Sequence, residues 1–329
     1  MRLITILLVA ALQIQCIAQS AEPPPKEIKV LFIGNSYTAR HNLAQVVKAM
    51  AEEGQPGLSF QPTSVIYGGR RMLDHWRLGT QNIVNAYAVT GEEIDLTIKE
   101  LEKTLRETPD DTHAKKAISV QKLFRKTLES QRHKWDIVVL QSYRDDMEGD
   151  DSLYAQYAPK FAALAAAQGA KVVLYETTPT TQNEKPIELK PDAQTVRNKA
   201  RAIARLANQF DAAVAPMSLV GLKCQLQRPD VTLRFVNDAH LNQTMAYLTA
   251  CTLYAAIFDQ DPTGLSVNSV TDIRFWQNKD RTKDRDNKPI KKVFSDQDRA
   301  DLQRIAWEGY QEFSQLRARE IDSRDVPRR

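Results

Sequence analysis

Cysteine is scarce in this chain. There are three in 329 residues, and Cys16 lies in an N-terminal apolar stretch, which leaves Cys224 and Cys251. No CxxC pair and no Cys/His cluster with zinc spacing occurs, so no structural metal is expected. Long apolar runs are lacking too. Past residue 21 no segment is long and apolar enough to span a bilayer. A dominant charge of one sign is also missing: 45 Lys and Arg stand against 41 Asp and Glu. The formal charge of +4 falls to +3 once Arg2 is set aside. The charges are interleaved, as in Lys279-Asp280-Arg281-Thr282-Lys283-Asp284-Arg285-Asp286. Such mixed runs read as solvated surface, and a nucleic-acid partner is not expected.

What is present at the N-terminus is an export signal. Arg2 supplies the charged region, Leu3 to Leu12 the short apolar stretch, and Cys16-Ile17-Ala18 small residues near a cleavage point. Residues 1–21 therefore read as a signal peptide, with Pro23-Pro24-Pro25 as a linker behind it. The remaining 22–329 read as one domain, exported to the periplasm or the extracellular space.

Four apolar, β-branched runs read as buried parallel strands: Ile28 to Ile33, Ile137 to Leu140, Val172 to Tyr175 and Ala212 to Ala215. Ser59 to Tyr67 is a fifth, more alternating candidate. Helical patterns lie between them. Leu43, Val46, Val47 and Met50 share one face, Phe161 to Ala167 runs up to a stop at Gly169, and Val196 to Phe210 is amphipathic. Alternation of this kind predicts an α/β fold, a parallel sheet covered on both faces, with ligands beyond the carboxyl ends of its strands. Residues 80–134 interrupt the alternation with two helical stripes. Ile94, Ile98, Leu101 and Leu105 form one, Val120, Leu123, Phe124 and Leu128 the other, and Pro109-Asp110-Asp111 divides them. This helical insertion is either a cap over the site or extra packing. Residues 276–292 read as a charged surface loop. Ser295-Asp296-Gln297-Asp298 then starts a last helix with Ile305, Ala306, Gly309 and Phe313 on its inner stripe.

Two short motifs carry chemistry. Val30-Leu31-Phe32-Ile33 breaks into Gly34-Asn35-Ser36-Tyr37-Thr38, which puts a serine at the carboxyl end of a buried strand. About 200 residues later comes Phe235-Val236-Asn237-Asp238-Ala239-His240-Leu241-Asn242. Ser36 alone reads first as a helix N-cap and only second as a nucleophile. With Asp238 and His240 it completes a nucleophile, a base and an orienting carboxylate. Residues two apart in extended chain point the same way, so Asp238 and His240 are expected to face one cleft.

In these motifs the chain resembles the SGNH hydrolase superfamily, the GDSL-type esterases and lipases, in a branch with Gly-Asn-Ser. The Val30 to Thr38 segment is similar to the family's first block. Tyr67-Gly68-Gly69-Arg70 resembles the second, Trp135 to Ser142 lies where the third is expected, and Asn237 to Asn242 resembles the fifth. The resemblance runs from Lys26 to about Phe258. It implies a three-layer α/β/α, flavodoxin-like sheet and an ester hydrolase that needs no cofactor and no metal. It implies Ser36 as nucleophile, His240 as base and Asp238 as its partner. It also implies an oxyanion hole from the N–H groups of Ser36 and Gly69 and a side-chain amide. The family supplies that amide from an asparagine. This chain offers Gln141, one methylene longer.

Asn35, Tyr37, His41, Arg70 and Tyr143 are the candidate substrate contacts, and Trp76, Tyr37 and Tyr143 could stack on a sugar ring. The expected partner is a small-molecule or glycan ester, with acetylated carbohydrate in view. Two other functions stay open: a non-catalytic carbohydrate- or ligand-binding protein on the same fold, and a lysophospholipase or thioesterase. For Cys224 and Cys251, a bridge between the loop before Asp238 and the helix after His240 stands beside two separate thiols.

Overall fold

The computed structural model describes residues 25–142, 152–177, 181–273 and 279–322. Residues 1–21, Tyr143 and Trp276 lie outside them. The apolar runs form five parallel strands: β1 (Lys26–Gly34), β2 (Leu58–Ile66), β3 (Ile137–Gln141), β4 (Lys171–Glu176) and β5 (Ala213–Pro216). Their order is β2-β1-β3-β4-β5, the doubly wound order of flavodoxin-like sheets. All of β3 is buried, which explains an apolar run without alternation. β2 lies at an edge and exposes Gln61, Thr63 and Ser64. That position also tolerates Pro62, which has no N–H for a central ladder.

After β1 come α1 (Ser36–Ala39), a 3-10 turn (Arg40–Asn42) and α2 (Leu43–Gly54). Between β2 and β3 lie α3 (Met72–Arg77), α4 (Thr80–Val84), α5 (Gly91–Glu107), α6 (Thr112–Lys126) and α7 (Leu128–Gln131). α8 (Leu153–Ala166) follows β3 and α9 (Gln194–Asn208) follows β4. α10 (Met217–Gln227) and α11 (Gln243–Phe258) follow β5, and α12 (Asp296–Asp322) is the last. β1 divides its side chains by the two-residue period of a strand. Val30 and Phe32 join Val47, Met50 and Leu248 of α2 and α11, whereas Leu31 and Ile33 join Phe161 and Ile203 of α8 and α9. The result is three layers, α/β/α. No helix among the described residues is long and apolar enough to cross a membrane.

α5 opens on a capping box between Thr90 and Glu93, and α6 opens on Asp111, which accepts from the N–H groups of His113 and Ala114. The inner face of α6 differs from the predicted stripe. Ala114, Ala117, Ile118, Gln121 and Phe124 are buried, while Leu123 is 63% exposed. Small alanines let α6 sit close, a signal that a search for large apolar residues passes over. Cys224 and Cys251 are free, buried thiols, the second of the two alternatives.

The charged loop differs at Asp284, which is only 2% exposed. It accepts from the N–H groups of Asp286 and Lys288, each at 2.9 Å, and from Gln243 Nε2 at 3.1 Å. One carboxylate thus organises a turn from inside and ties it to the start of α11. Beyond it, β7 (Lys291–Val293) pairs antiparallel with β6 (Ser269–Thr271). Most of the described loop is exposed, as its interleaved charge predicts, and Asp284 turns inward to fasten it to the body.

α12 begins as its serine cap predicts, with Asp298 N–H donating to Ser295 Oγ at 3.1 Å. Leu302, Ile305 and Ala306 pack in one apolar layer and Phe313 in the other, so the helix covers the open edge at β5. Phe313→Ala is therefore expected to cost about 3–5 kcal/mol. Leu123→Ala, on the exposed side of α6, is expected to stay within about 0.5 kcal/mol of wild type. Urea midpoints of the two variants check this; equal effects would remove α12 from its role at that edge.

Candidate active site

The sheet changes winding direction between β1 and β3, β1 leads directly into Asn35 and Ser36, and β3 ends at Gln141. β1 runs out at Gly34, whose carbonyl accepts from Tyr67 N–H and from His75 Nε2, each at 3.1 Å. A Cβ at Gly34 would overlap Thr38 Oγ1 and Gln141 Oε1, so only glycine fits there. Asn35 follows in extended conformation and caps α1, accepting from Tyr37 N–H at 3.0 Å. Its Nδ2 donates to the carbonyls of Arg70 and Ser142, both at 3.2 Å, and its N–H donates to Gln141 Oε1 at 2.8 Å. One asparagine thus binds together the loops behind β2 and β3. Ser36 is the first residue of α1 and stays half-buried.

Asp238 and His240 come from the turn that precedes α11. An antiparallel bridge between Arg234 and Leu241 closes its base, and Asn237 turns it with φ of 54°. Tyr37 Oη donates to Ala239 O at 2.6 Å and so pins the turn to α1. Asp238 Oδ1 accepts from His240 N–H at 3.0 Å and stands 2.6 Å from His240 Nδ1. His240 Nε2 stands 2.8 Å from Ser36 Oγ. An ionised carboxylate only accepts, so Nδ1 carries the ring proton and Nε2 offers its lone pair to the Ser36 hydroxyl. Behind the histidine lies a second polar group. His41 Nε2 donates to Leu241 O at 2.8 Å, and its Nδ1 is 3.2 Å from Asp272 Oδ1. Arg40 stands 3.7 Å from the same oxygen. Burial pushes His41 down to about 4 and Asp272 up to about 6, with Arg40 opposing the latter.

Of the predicted site residues, the structure brings Ser36, Asp238 and His240 into one hydrogen-bonded line. Gly69 sits at φ of 66° in the turn directly behind β2, on the sheet edge that carries Ser36. Four predictions need correction. Gln141 does not offer its amide to an oxyanion: it is fully buried, its Oε1 accepts from Asn35 N–H and from Thr38 Oγ1 at 2.9 Å, and its Nε2 donates to Ser142 O. Asn35, wholly buried, is used up in the loop junction. Tyr37 is 5% exposed and bound to Ala239, with its ring against His240. His41 is 1% exposed and faces Leu241 and Asp272. None of the four is placed to touch a substrate. Trp76 packs edge-on to Tyr157 and Phe161. Arg70 is half-buried and, with Arg77, Leu101 and His113, lines a cavity of about 480 Å³ beside α3, α5 and α6. Tyr143 lies outside the described residues.

Sequence reasoning passed over Arg285 and Asp272. Arg285 ion-pairs with Asp238 Oδ2 from within the loop read as surface. Nothing in its local pattern marks it. Asp272 follows β6 in a stretch without a motif. His75 follows the Gly68-Gly69 turn and is fully buried. Among the described residues no group of three or more His, Cys, Asp or Glu is arranged to hold a metal ion.

No family model matches the sequence, and no curated protein matches it. Among solved structures, a candidate SGNH hydrolase from Slackia heliotrinireducens is similar at a TM-score of 0.41 and 16% identity, over 70% of this chain and 100% of that one. BT4096, a gut microbial diltiazem-metabolizing enzyme, is similar at a TM-score of 0.34 and 12% identity, over 73% of this chain and 48% of that one.

The bonds of Gln141 set a first expectation. Gln141→Ala leaves Asn35 N–H and Thr38 Oγ1 without their acceptor, so it should destabilise the fold by about 1–3 kcal/mol for each group left unpaired. An unchanged urea midpoint would return Gln141 to a purely chemical role. His75 sets a second. Its Nε2 must donate to Gly34 O, its Nδ1 accepts from Thr80 Oγ1 at 3.1 Å, and burial holds its pKa down to about 4. The unfolded chain then binds the proton first, so this contribution is complete above about pH 6.5 and is lost as pH falls toward about 4. Its upper size is roughly 3 kcal/mol. His75→Gln should flatten the dependence of unfolding free energy on pH in that window, and an unaltered slope would contradict the assignment.

Proposed function

We propose that this chain is a serine ester hydrolase of the SGNH kind that cleaves O-acyl esters through a covalent acyl-enzyme. The observation that carries the reading is the line from Ser36 Oγ to His240 Nε2 at 2.8 Å and from His240 Nδ1 to Asp238 at 2.6 Å. His240 accepts the Ser36 proton as Oγ attacks the acyl carbon. Asp238 holds the imidazole in the tautomer that can accept and stabilises the imidazolium that results. The proton then passes to the leaving alcohol, and water repeats the sequence to release the acid.

Charge develops on the carbonyl oxygen, and the groups assigned to hold it are the backbone N–H groups of Ser36 and Gly69. Ser36 N–H lies in the first turn of α1, where no helical partner exists. The signal-like pattern of residues 1–21 supports a reaction outside the cytoplasm as part of the proposal. The case for a sugar substrate rested on export together with nearby aromatic rings. Tyr37 and Trp76 are engaged in packing, so the proposal stays with acyl esters as a class.

A hole with two backbone donors and no side-chain amide favours a second reading, a protein that binds a ligand at this site without turning it over. A lost donor costs roughly 10²–10³ in rate in a well-studied protease. A fluorophosphonate probe and a panel of p-nitrophenyl acyl esters separate the two. Labelling at Ser36 and turnover that disappears in Ser36→Ala and in His240→Ala support the enzyme. Asp238→Asn should cost less than either, since the proton acceptor remains. Wild-type rates in a folded Ser36→Ala protein would sink the assignment.

A further inference from the structure

The carboxylate of Asp238 is shared. Its Oδ1 serves His240, through both the ring and the backbone N–H. Its Oδ2 meets Arg285, which reaches it from a loop far along the chain. The two side chains are 12% and 17% exposed, so the pair is largely shielded from salt and solvent. The loop is anchored on both sides of Arg285. Asp286 accepts from Val236 N–H at 3.1 and 3.2 Å. Asp284 holds the loop's own turn and takes Gln243 Nε2. Arg285 also lies 5.8 Å from the centre of the Phe235 ring, which adds a cation–π contact at the base of the turn.

We propose that Arg285 is a positioning residue for the proposed hydrolysis: it grips the outer oxygen of Asp238 and so keeps the inner oxygen aligned on His240 Nδ1. A carboxylate held only by the imidazole can rotate about its Cβ–Cγ bond. A second partner on a loop anchored through Asp284 and Asp286 restricts that freedom, and the geometric gain appears in kcat. Arg285 also sets the charge around His240. The other groups that face this turn are Arg234, whose Nη1 donates to Asp238 O at 3.4 Å and whose Nη2 pairs with Glu184 at 3.2 Å, together with Asp286, Tyr37, His41, Asp272 and Arg40. Against this background a guanidinium on Asp238 disfavours the imidazolium, which keeps His240 able to accept a proton at lower pH.

The inference rests on the hydrolase reading for its rate effect but not for its charge effect, and the test uses both. The His240 ring is titrated by NMR in the full chain, in wild type and in Arg285→Gln. Its pKa is expected to rise by about half a unit or more in the variant. In p-nitrophenyl acetate hydrolysis, kcat should fall about tenfold with KM unchanged, and Arg285→Lys should recover part of both effects. In an Asp238→Asn background, Arg285→Gln should change kcat little, because the grip is already gone. Should Arg285→Gln fail to fold, Arg285→Met keeps the stem against Phe235 and takes its place. A His240 pKa and a kcat that both stay at wild type in a folded variant overturn the proposal. A shifted His240 pKa in a protein whose Ser36→Ala variant is fully active keeps the positioning and overturns the hydrolase reading instead.

Discussion

The site hangs on one buried hydrogen bond, from Asn35 N–H to Gln141 Oε1. It joins the last turn of β1 to the end of β3 at the point where the sheet changes winding direction. Around it the Asn35 amide takes the carbonyls behind β2 and β3, and Thr38 adds its hydroxyl to the same Gln141 oxygen. With both ends of two amides occupied, none of these groups is left unpaired in the interior, a condition that low dielectric makes costly to break. Ser36 follows immediately and inherits its position. The glutamine where an asparagine was expected is therefore a beam under Ser36 rather than a donor beside it.

The electrostatics follow from the same burial. His75 and His41 are held neutral by desolvation, against the pull of the Gly34 and Leu241 carbonyls toward the protonated ring, while His240, partly open, keeps a carboxylate at one nitrogen and a hydroxyl at the other. Three histidines thus have different tasks set by their surroundings. The two buried ones brace backbone next to the site, at Gly34 and at Leu241, and only the third stands where it can exchange a proton with Ser36.

The sheet was legible because a parallel strand buried on both faces leaves a continuous apolar run, and four such runs stand out. Ser36, Asp238 and His240 were legible because each sits in a short local motif. What stayed hidden depends on partners distant in sequence. Whether Tyr37 stacks on substrate or donates to Ala239 is decided across 202 residues, and whether Gln141 reaches outward or back to Asn35 across 106. Periodicity does not encode such pairings. Arg285 was obscured for a further reason. Alternating charge is the usual signature of solvated chain, and only the fold shows that Asp284 points inward and turns the loop around itself.

Loop position then has a consequence for how the site is assembled. Ser36 comes early in the chain, Asp238 and His240 late, and Arg285 later still, after the β6 strand that precedes Asp272. Bringing them together requires β1, α11 and the 279–290 loop to be docked at once, and the loop-closure entropy of each long-range contact must be offset by burial elsewhere. α11 supplies much of that burial, since nearly every one of its side chains is enclosed. Its cap, Asn242, accepts from Met245 N–H at 3.1 Å and donates to Thr232 O at 2.9 Å, so the helix start and the turn that carries Asp238 and His240 are fixed by the same side chain. A helix buried all round is a rigid support, and it is placed where a shift of its first turn would open the gap between His240 and Ser36.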